Sequence, residues 1–214
     1  MAYPPEEVAG FVLAGGRSSR MGRDKALVEL HGHTLAALAV AKLKAVGLST
    51  VIAGARSAVG HLAPVVADEA PDEGPLRGVC TALRSTRAAL TVFLPVDLPL
   101  IPSSLLSYLV SDARVTGAAI TLVSVNGFTQ TFPAVIRTAL LPFLLEELVA
   151  GRRGCFAAFQ AASKRVDQEL RVAPAELLVQ AGQVQDQRAL PAYQWFLNLN
   201  SFEDVERAAR VRVS

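Results

Sequence analysis

Cysteine is scarce in this chain, with Cys80 and Cys155 the two instances in 214 residues. They stand far apart, form no CxxC pair and have no histidine at metal-ligand spacing, so neither a disulfide framework nor a zinc site is expected. Both are read as reduced packing residues. Histidine is little commoner, and His31, His33 and His61 show no ligand spacing, which assigns them to the surface or to loops. Aromatic residues make up 6% against a hydrophobic fraction of 51%, which points to a core of Ala, Val and Leu packed as helices against strands, with Trp195 inside it. An excess of one charge is also missing. With 21 basic and 19 acidic residues the formal charge is +2, too little to draw in nucleic acid or an acidic membrane, so any anion site must be local. The longest uncharged stretch, residues 115–136, is broken by Asn126, Gly127, Gln130 and Pro133, and reads as two strands about a turn instead of a membrane span. The opening MAYPPEEVAG carries two acids and no basic residue, which argues against a signal peptide and for a cytoplasmic protein.

What is present is regular alternation. A chain of this length fits one domain. Apolar runs of strand length at residues 8–14, 50–53, 64–67 and 90–96 alternate with helical stripes. The stripes are Leu35, Leu38, Ala39, Leu43 and Val46; Leu76, Val79, Cys80 and Leu83; and Leu105, Leu106, Leu109 and Val110. Such repetition predicts a parallel sheet covered by helices on both faces. Residues 118–125 and 128–136 flank Asn126-Gly127, a hairpin signal that adds an antiparallel element. A helix is predicted over 142–149, short ones over 156–161 and 175–181, and a last one after Ser201 as N-cap with Asp204 three residues on. The C-terminal strand ends of an open parallel sheet share one edge, where ligands bind at a topological switch point. The loop after residue 14, Gly54, Asp68 and Asp97 each follow a predicted strand and should meet there.

That first loop, LAGGRSSRMGRDK from Leu13 to Lys25, holds three glycines and four basic side chains. Gly15 and Gly16 would let backbone N–H groups approach a phosphate, while Arg17, Arg20, Arg23 and Lys25 supply charge. Neither the P-loop pattern nor the GxGxxG dinucleotide fingerprint is matched. The residues alone allow a phosphate loop or a basic, solvated turn. Asp97, ending TVFLPVD, suits a carboxylate ligand of Mg²⁺ facing phosphates, or equally a cap for the helix that begins near Pro102. Asp68 is open in the same way. Gly74-Pro75-Leu76-Arg77-Gly78 brings backbone close to either a ligand or a neighbouring helix.

Leu13-Ala14-Gly15-Gly16, Ser19-Arg20-Met21-Gly22 and Lys25 together resemble the signature of the molybdenum cofactor guanylyltransferases, within the wider MobA-like nucleotidyltransferases. Three further segments agree in order and spacing: Asp68 with Gly74 to Gly78; Asp97-Leu98-Pro99; and Phe196-Leu197-Asn198-Leu199-Asn200-Ser201 with Glu203-Asp204. The resemblance spans about residues 8–210. It implies a Rossmann-like three-layer α/β/α sandwich, a mostly parallel sheet with an antiparallel element, as in nucleotide-diphospho-sugar transferases. A single nucleotidyltransferase domain would have a nucleotide-binding half at about 8–112 and an acceptor-binding half at about 113–210. The implied reaction joins GTP and molybdopterin to give the guanine dinucleotide and pyrophosphate, with Mg²⁺ as cofactor. By motif matching, Leu13, Ala14, Gly15 and Gly16 would hold guanine and ribose; Lys25 and Arg20 the phosphates; Asp97 the metal. Gly22, Asp68 and Gly78 would also touch the nucleotide. Asn198, Asn200 and Arg152, or its neighbour Arg153, would face the acceptor.

A sister group that makes the cytosine dinucleotide reads LAAG, whereas Gly15 here leaves room for a purine edge, which favours guanine. The chain departs from the family at Val51 to Arg56, where an Asn is usual; at Gly32-His33-Thr34-Leu35 in place of GxPL; and at Phe132 before Pro133. The other readings are a transferase acting with CTP or on a different phosphorylated acceptor, and a non-catalytic nucleotide-binding accessory of molybdoenzyme maturation. Loss of Lys25 or Asp97 would mark the accessory, and both are present. The expected partners are the two substrates and molybdoenzyme maturation proteins, with no nucleic acid and no membrane.

Overall fold

The computed structural model describes residues 7–14, 24–54, 57–67, 74–168 and 170–211. The first strand, β1 (Val8–Leu13), is buried along nearly its whole length, as its unbroken apolar sequence requires of a strand covered on both faces. After the glycine-rich loop, a 3₁₀ turn at Lys25–Leu27 leads into a small hairpin, β2 (Glu29–Leu30) and β3 (His33–Thr34). Thr34 then caps α1 (Leu35–Ala45), its side chain accepting from the Ala37 N–H at 3.2 Å. There follow β4 (Ser49–Ala53), β5 (Val65–Val66), α2 (Pro75–Arg84), β6 (Leu90–Pro95), α3 (Ser103–Thr116), β7 (Ile120–Val125) and β8 (Phe128–Arg137). The chain closes with α4 (Leu141–Val149), α5 (Cys155–Arg165), β9 (Leu170–Pro174), α6 (Ala175–Gln180), α7 (Ala192–Trp195) and α8 (Phe202–Ala209).

The main sheet has seven strands in the order β5-β4-β1-β6-β8-β7-β9. β8 is antiparallel to both of its neighbours, and every other pairing is parallel. The Asn126-Gly127 turn joins β7 to β8 with both residues at positive φ, as a tight hairpin needs. Two apolar layers sandwich the sheet. One gathers α1, α3 and the residues around Leu178, Trp195 and Leu199; the other gathers α2, α4 and α5 around Phe11 and Phe93, whose rings stack with centroids 6.0 Å apart. This is the three-layer α/β/α architecture expected, with the reversed strand in place. Among the described residues no helix is long and apolar enough to cross a membrane.

The β2–β3 hairpin, β9 and α7 lie outside the sequence expectation, and α5 is longer than expected. β9 falls where the sequence predicts two short helices without a strand between them; it adds to β7 in parallel, Ile120 opposite Leu170, as an edge strand that is only half buried. The helix predicted over 156–161 runs instead from Cys155 to Arg165, because Ala162 and Ser163 continue its buried stripe. Cys80 and Cys155 are both free thiols within the second layer, and burial pushes them up to about 11 and about 12.

β1 packs closely on α1 and on the turn after it. A Cβ built on Gly10 would sit 3.2 Å from Leu43 Cδ1, 3.3 Å from Leu48 Cβ and 3.4 Å from Leu43 Cβ. The two Cβ neighbours move only with their backbone. Gly10→Ala is therefore expected to destabilise the fold by about 1 kcal/mol, overpacking outweighing the gain from a stiffer unfolded chain. Urea unfolding of the variant checks this.

Candidate active site

β1 and β6 lie side by side, Leu13 opposite Pro95, and the Val96 N–H donates to Leu13 O at 3.1 Å. From β1 the chain proceeds outward to β4 and β5, then returns to place β6 on the other side, so the topological switch falls between β1 and β6. Leu13 and Ala14 end the first strand, and Asp97 stands two residues beyond the end of the second. Both belong to the same sheet edge, as the sequence predicts.

Lys25 is brought back to that edge by local chemistry. Asp24 caps the 3₁₀ turn, accepting from the Ala26 N–H at 3.0 Å, and Ala26 is fully buried. With the turn planted, Lys25 Nζ lies 3.0 Å from Asp97 Oδ2 and 2.5 Å from Asn200 Oδ1. The Asp97 and Asn200 segments are also joined through the backbone, the Leu199 N–H donating to Asp97 O at 3.0 Å. An ammonium has three donors, so this arrangement leaves one for a ligand. Lys25 and Asp97 retain 17% and 24% of their side-chain exposure, so the pair is partly buried at the crevice. Its value is a cation and an anion already positioned at the switch point.

Asp97 does not cap α3. The N-cap position is Pro102 and no side chain caps that helix end, so of the two roles left open by the sequence the capping one is not taken up. Among the described residues no group of three or more His, Cys, Asp or Glu side chains could hold a metal ion. Mg²⁺ does not require one, since it takes one or two carboxylates and completes its shell with phosphate and water. Asp97 fits that role: Oδ2 bonds Lys25, and Oδ1 has no partner among the described residues.

Gly15, Gly16, Arg20, Gly22 and Asp68 lie outside the described residues. Gly78 is the fourth residue of α2, so the Gly74-to-Gly78 segment is a helix start and first turn. The close approach anticipated there is to the α4–α5 loop: a Cβ on Gly74 would stand 3.2 Å from Arg153 Cβ and 3.3 Å from Arg153 O. Arg152, in the same loop, pairs with Glu147, a carboxylate with 7% side-chain exposure. Asn198 is exposed and Asn200 reaches Lys25, both beside Leu199 in the α1/α3 layer, whereas Arg152 belongs to the α2/α4/α5 layer. The expected acceptor residues are thus divided between the two faces, and one of them, Asn200, contacts a residue expected on the nucleotide side.

The sequence marks Asp204 as the capping partner of Ser201 and as part of the late segment that carries the family resemblance, with no site role of its own. One oxygen, Oδ2, accepts from the Ser201 N–H at 2.9 Å, from Ser201 Oγ at 2.8 Å and also from the Asn200 N–H at 3.0 Å. These bonds, that from the Ser201 hydroxyl foremost, hold the carboxyl below its ordinary range. The spacing of Ser201 and Asp204 signals the cap, but nothing in the sequence signals the added bond to Asn200.

A mostly parallel sheet, a glycine-rich basic loop leaving its first strand and an aspartate-held lysine at the switch point define a nucleotidyltransferase. The chain belongs to the MobA-like NTP transferase family, whose domain model matches residues 10–187. It is 33% identical over 217 residues to the molybdenum cofactor guanylyltransferase of Burkholderia orbicola strain MC0-3, covering 95% of this chain and 96% of the relative. In fold it is similar to molybdopterin-guanine dinucleotide biosynthesis protein A from Archaeoglobus fulgidus, with a TM-score of 0.75, 20% identity, and coverage of 95% of this chain and 97% of the other. A Mycobacterium tuberculosis H37Rv protein crystallised in complex with manganese shares the fold with a TM-score of 0.64 at 18% identity, over 97% of this chain and 100% of the other.

Gly74 sits at φ +89° and ψ 173°, backbone that side chains rarely adopt, against the Arg153 backbone. Gly74→Ala is expected to cost about 2 kcal/mol, lowering the melting temperature by roughly 4–8 °C in a thermal scan.

Proposed function

We propose that the chain transfers GMP from GTP to molybdopterin, giving the guanine dinucleotide and pyrophosphate, in the cytoplasm. The observation that carries this reading is the Lys25 ammonium held between Asp97 and Asn200, because it joins the glycine-loop signature to the late N-x-N-S segment at one point. The Burkholderia orbicola relative, a molybdenum cofactor guanylyltransferase, supports the same choice of substrates.

In this reaction a phosphate oxygen of molybdopterin attacks the α-phosphorus of GTP in line, forming the new O–P bond as the bond to the bridging oxygen breaks and pyrophosphate leaves. Positioning and charge neutralisation dominate such transfers, so no protein nucleophile is needed. Lys25, through its remaining donor, and Arg20 would bind the phosphates and meet the charge that develops on them. Leu13, Ala14, Gly15 and Gly16 would seat guanine and ribose, with Gly22, Asp68 and Gly78 completing the nucleotide contacts. Asp97 would hold Mg²⁺, which when bound supplies further neutralisation of the phosphates. Asn198, Asn200 and Arg152 would face the acceptor, in a half that we take to run from about residue 113 to 210, against a nucleotide half of about 8–112.

Lys25→Ala and Asp97→Ala are each expected to lower turnover at least about tenfold, the equivalent of about 1.4 kcal/mol, with the fold intact by circular dichroism. Wild-type rates in both purified variants would remove these two residues from the site. Pyrophosphate release with Mg²⁺, molybdopterin and each of GTP, CTP, ATP and UTP tests the substrates: release with GTP alone is expected. Release with CTP alone would keep the chemistry and overturn the base, and no release with any of the four would overturn the acceptor assignment.

A further inference from the structure

The side chain of Asn200 is exposed, yet it is aimed at Lys25. An exposed asparagine has little packing of its own to fix it, so the constraint must come from the backbone. Three successive N–H groups are tied down: Leu199 to Asp97 O at 3.0 Å, and Asn200 and Ser201 to Asp204 Oδ2 at 3.0 Å and 2.9 Å. Leu199 itself is fully buried and anchors the segment from below. A capping box requires only the bond to the N-cap residue, here Ser201, so the bond to Asn200 is additional to what the helix needs.

We propose that Asp204 is a positioning residue for the Lys25 ammonium, acting through the backbone of Asn200. The carboxylate fixes the Asn200 peptide, Asn200 Oδ1 then fixes the second acceptor of Lys25, and with Asp97 as the first acceptor the third N–H has a set direction. The proposal rests on the reading of Lys25 as the phosphate-binding amine, and it assigns the C-terminal helix start a part in catalytic geometry that capping alone does not require.

Two single variants separate the roles. Ser201→Ala removes the hydroxyl and its bond with the Asp204 N–H, weakening the cap, but leaves the Asn200 N–H to Asp204 bond available. Asp204→Ala keeps the bond of its backbone N–H to Ser201 Oγ and removes the carboxylate, and with it the bonds from the Asn200 N–H, the Ser201 N–H and the Ser201 hydroxyl. Each is expected to lower the melting temperature by a few degrees, as cap losses do. Only Asp204→Ala is expected to lower kcat, by about tenfold, with Ser201→Ala within about twofold of wild type. Asp204→Asn, which retains an acceptor oxygen, is expected to restore most of the rate. The double variant Asn200→Ala with Asp204→Ala should be no slower than Asn200→Ala alone, since both changes break one chain of contacts. Equal loss of activity in Ser201→Ala and Asp204→Ala, multiplying losses in the double variant, or a wild-type kcat in Asp204→Ala would each overturn the proposal.

A readout independent of the reaction is the lysine-selective NMR signal of Lys25 in the protein without nucleotide. It is expected to report an immobilised ammonium in wild type and Ser201→Ala and a mobile one in Asp204→Ala. Failure of the wild-type protein to turn over GTP would defeat the functional reading while leaving this measurement decisive for the positioning of Lys25. An equally immobilised ammonium in Asp204→Ala would defeat the proposal whatever the substrate.

Discussion

The crevice exists because β6 lies directly against β1. By laying β4 and β5 to one side before returning, the chain places two parallel strands next to each other whose onward connections run in opposite directions along the sheet, from β1 by α1 toward β4 and from β6 by α3 toward β7. The register of Leu13 opposite Pro95 then determines that the glycine-rich loop and Asp97 leave the sheet at the same height. A slip of this pairing would separate the two halves of the site while leaving every helix intact.

Packing and not charge holds the site's remaining pieces in place. The partly buried Lys25–Asp97 pair is a single contact, whereas Trp195 and Leu199 are almost wholly buried, and side chains of this kind stabilise by about 1.5–3 kcal/mol each on leaving water. Asp186, with 5% side-chain exposure, couples this plug to the connection that carries Asp97. It accepts from Trp195 Nε1 at 3.2 Å and from Arg188 Nε at 2.9 Å, and the same guanidinium donates to Leu100 O at 2.5 Å. The segment that bears Asn200 and the one that bears Asp97 are therefore fastened to a common buried carboxylate. The framework thus holds the partly buried ion pair in place and leaves one Lys25 N–H for a ligand.

Much of this was readable in the sequence where one residue type repeats at a fixed interval. Apolar runs marked β1, β4 and β6, stripes marked α1, α2 and α3, and Asn126-Gly127 marked the hairpin, because each of these is buried on a defined face. β9 escaped because an edge strand with half-buried Leu170, Arg171 and Val172 has no strong alternation to read. The β2–β3 hairpin escaped because strands of two residues have no period. In the site, the residues that share a strand end were legible from order alone. The contact of Lys25 with Asn200 spans 175 positions and depends on how the C-terminal segment docks, which no local pattern encodes.

The two outer strands of the main sheet have a bearing on how copies of the chain can meet. β5 offers only Val65 and Val66, and β9 ends in Pro174, which has no N–H to give, while its Arg171 is engaged by Asp112. Short, proline-ended and charged borders disfavour the addition of another strand, so the sheet is poorly suited to extension from one molecule into the next. Helices and loops offer the better surfaces for contact between copies, and the backbone ladder that positions the crevice is shielded at both borders.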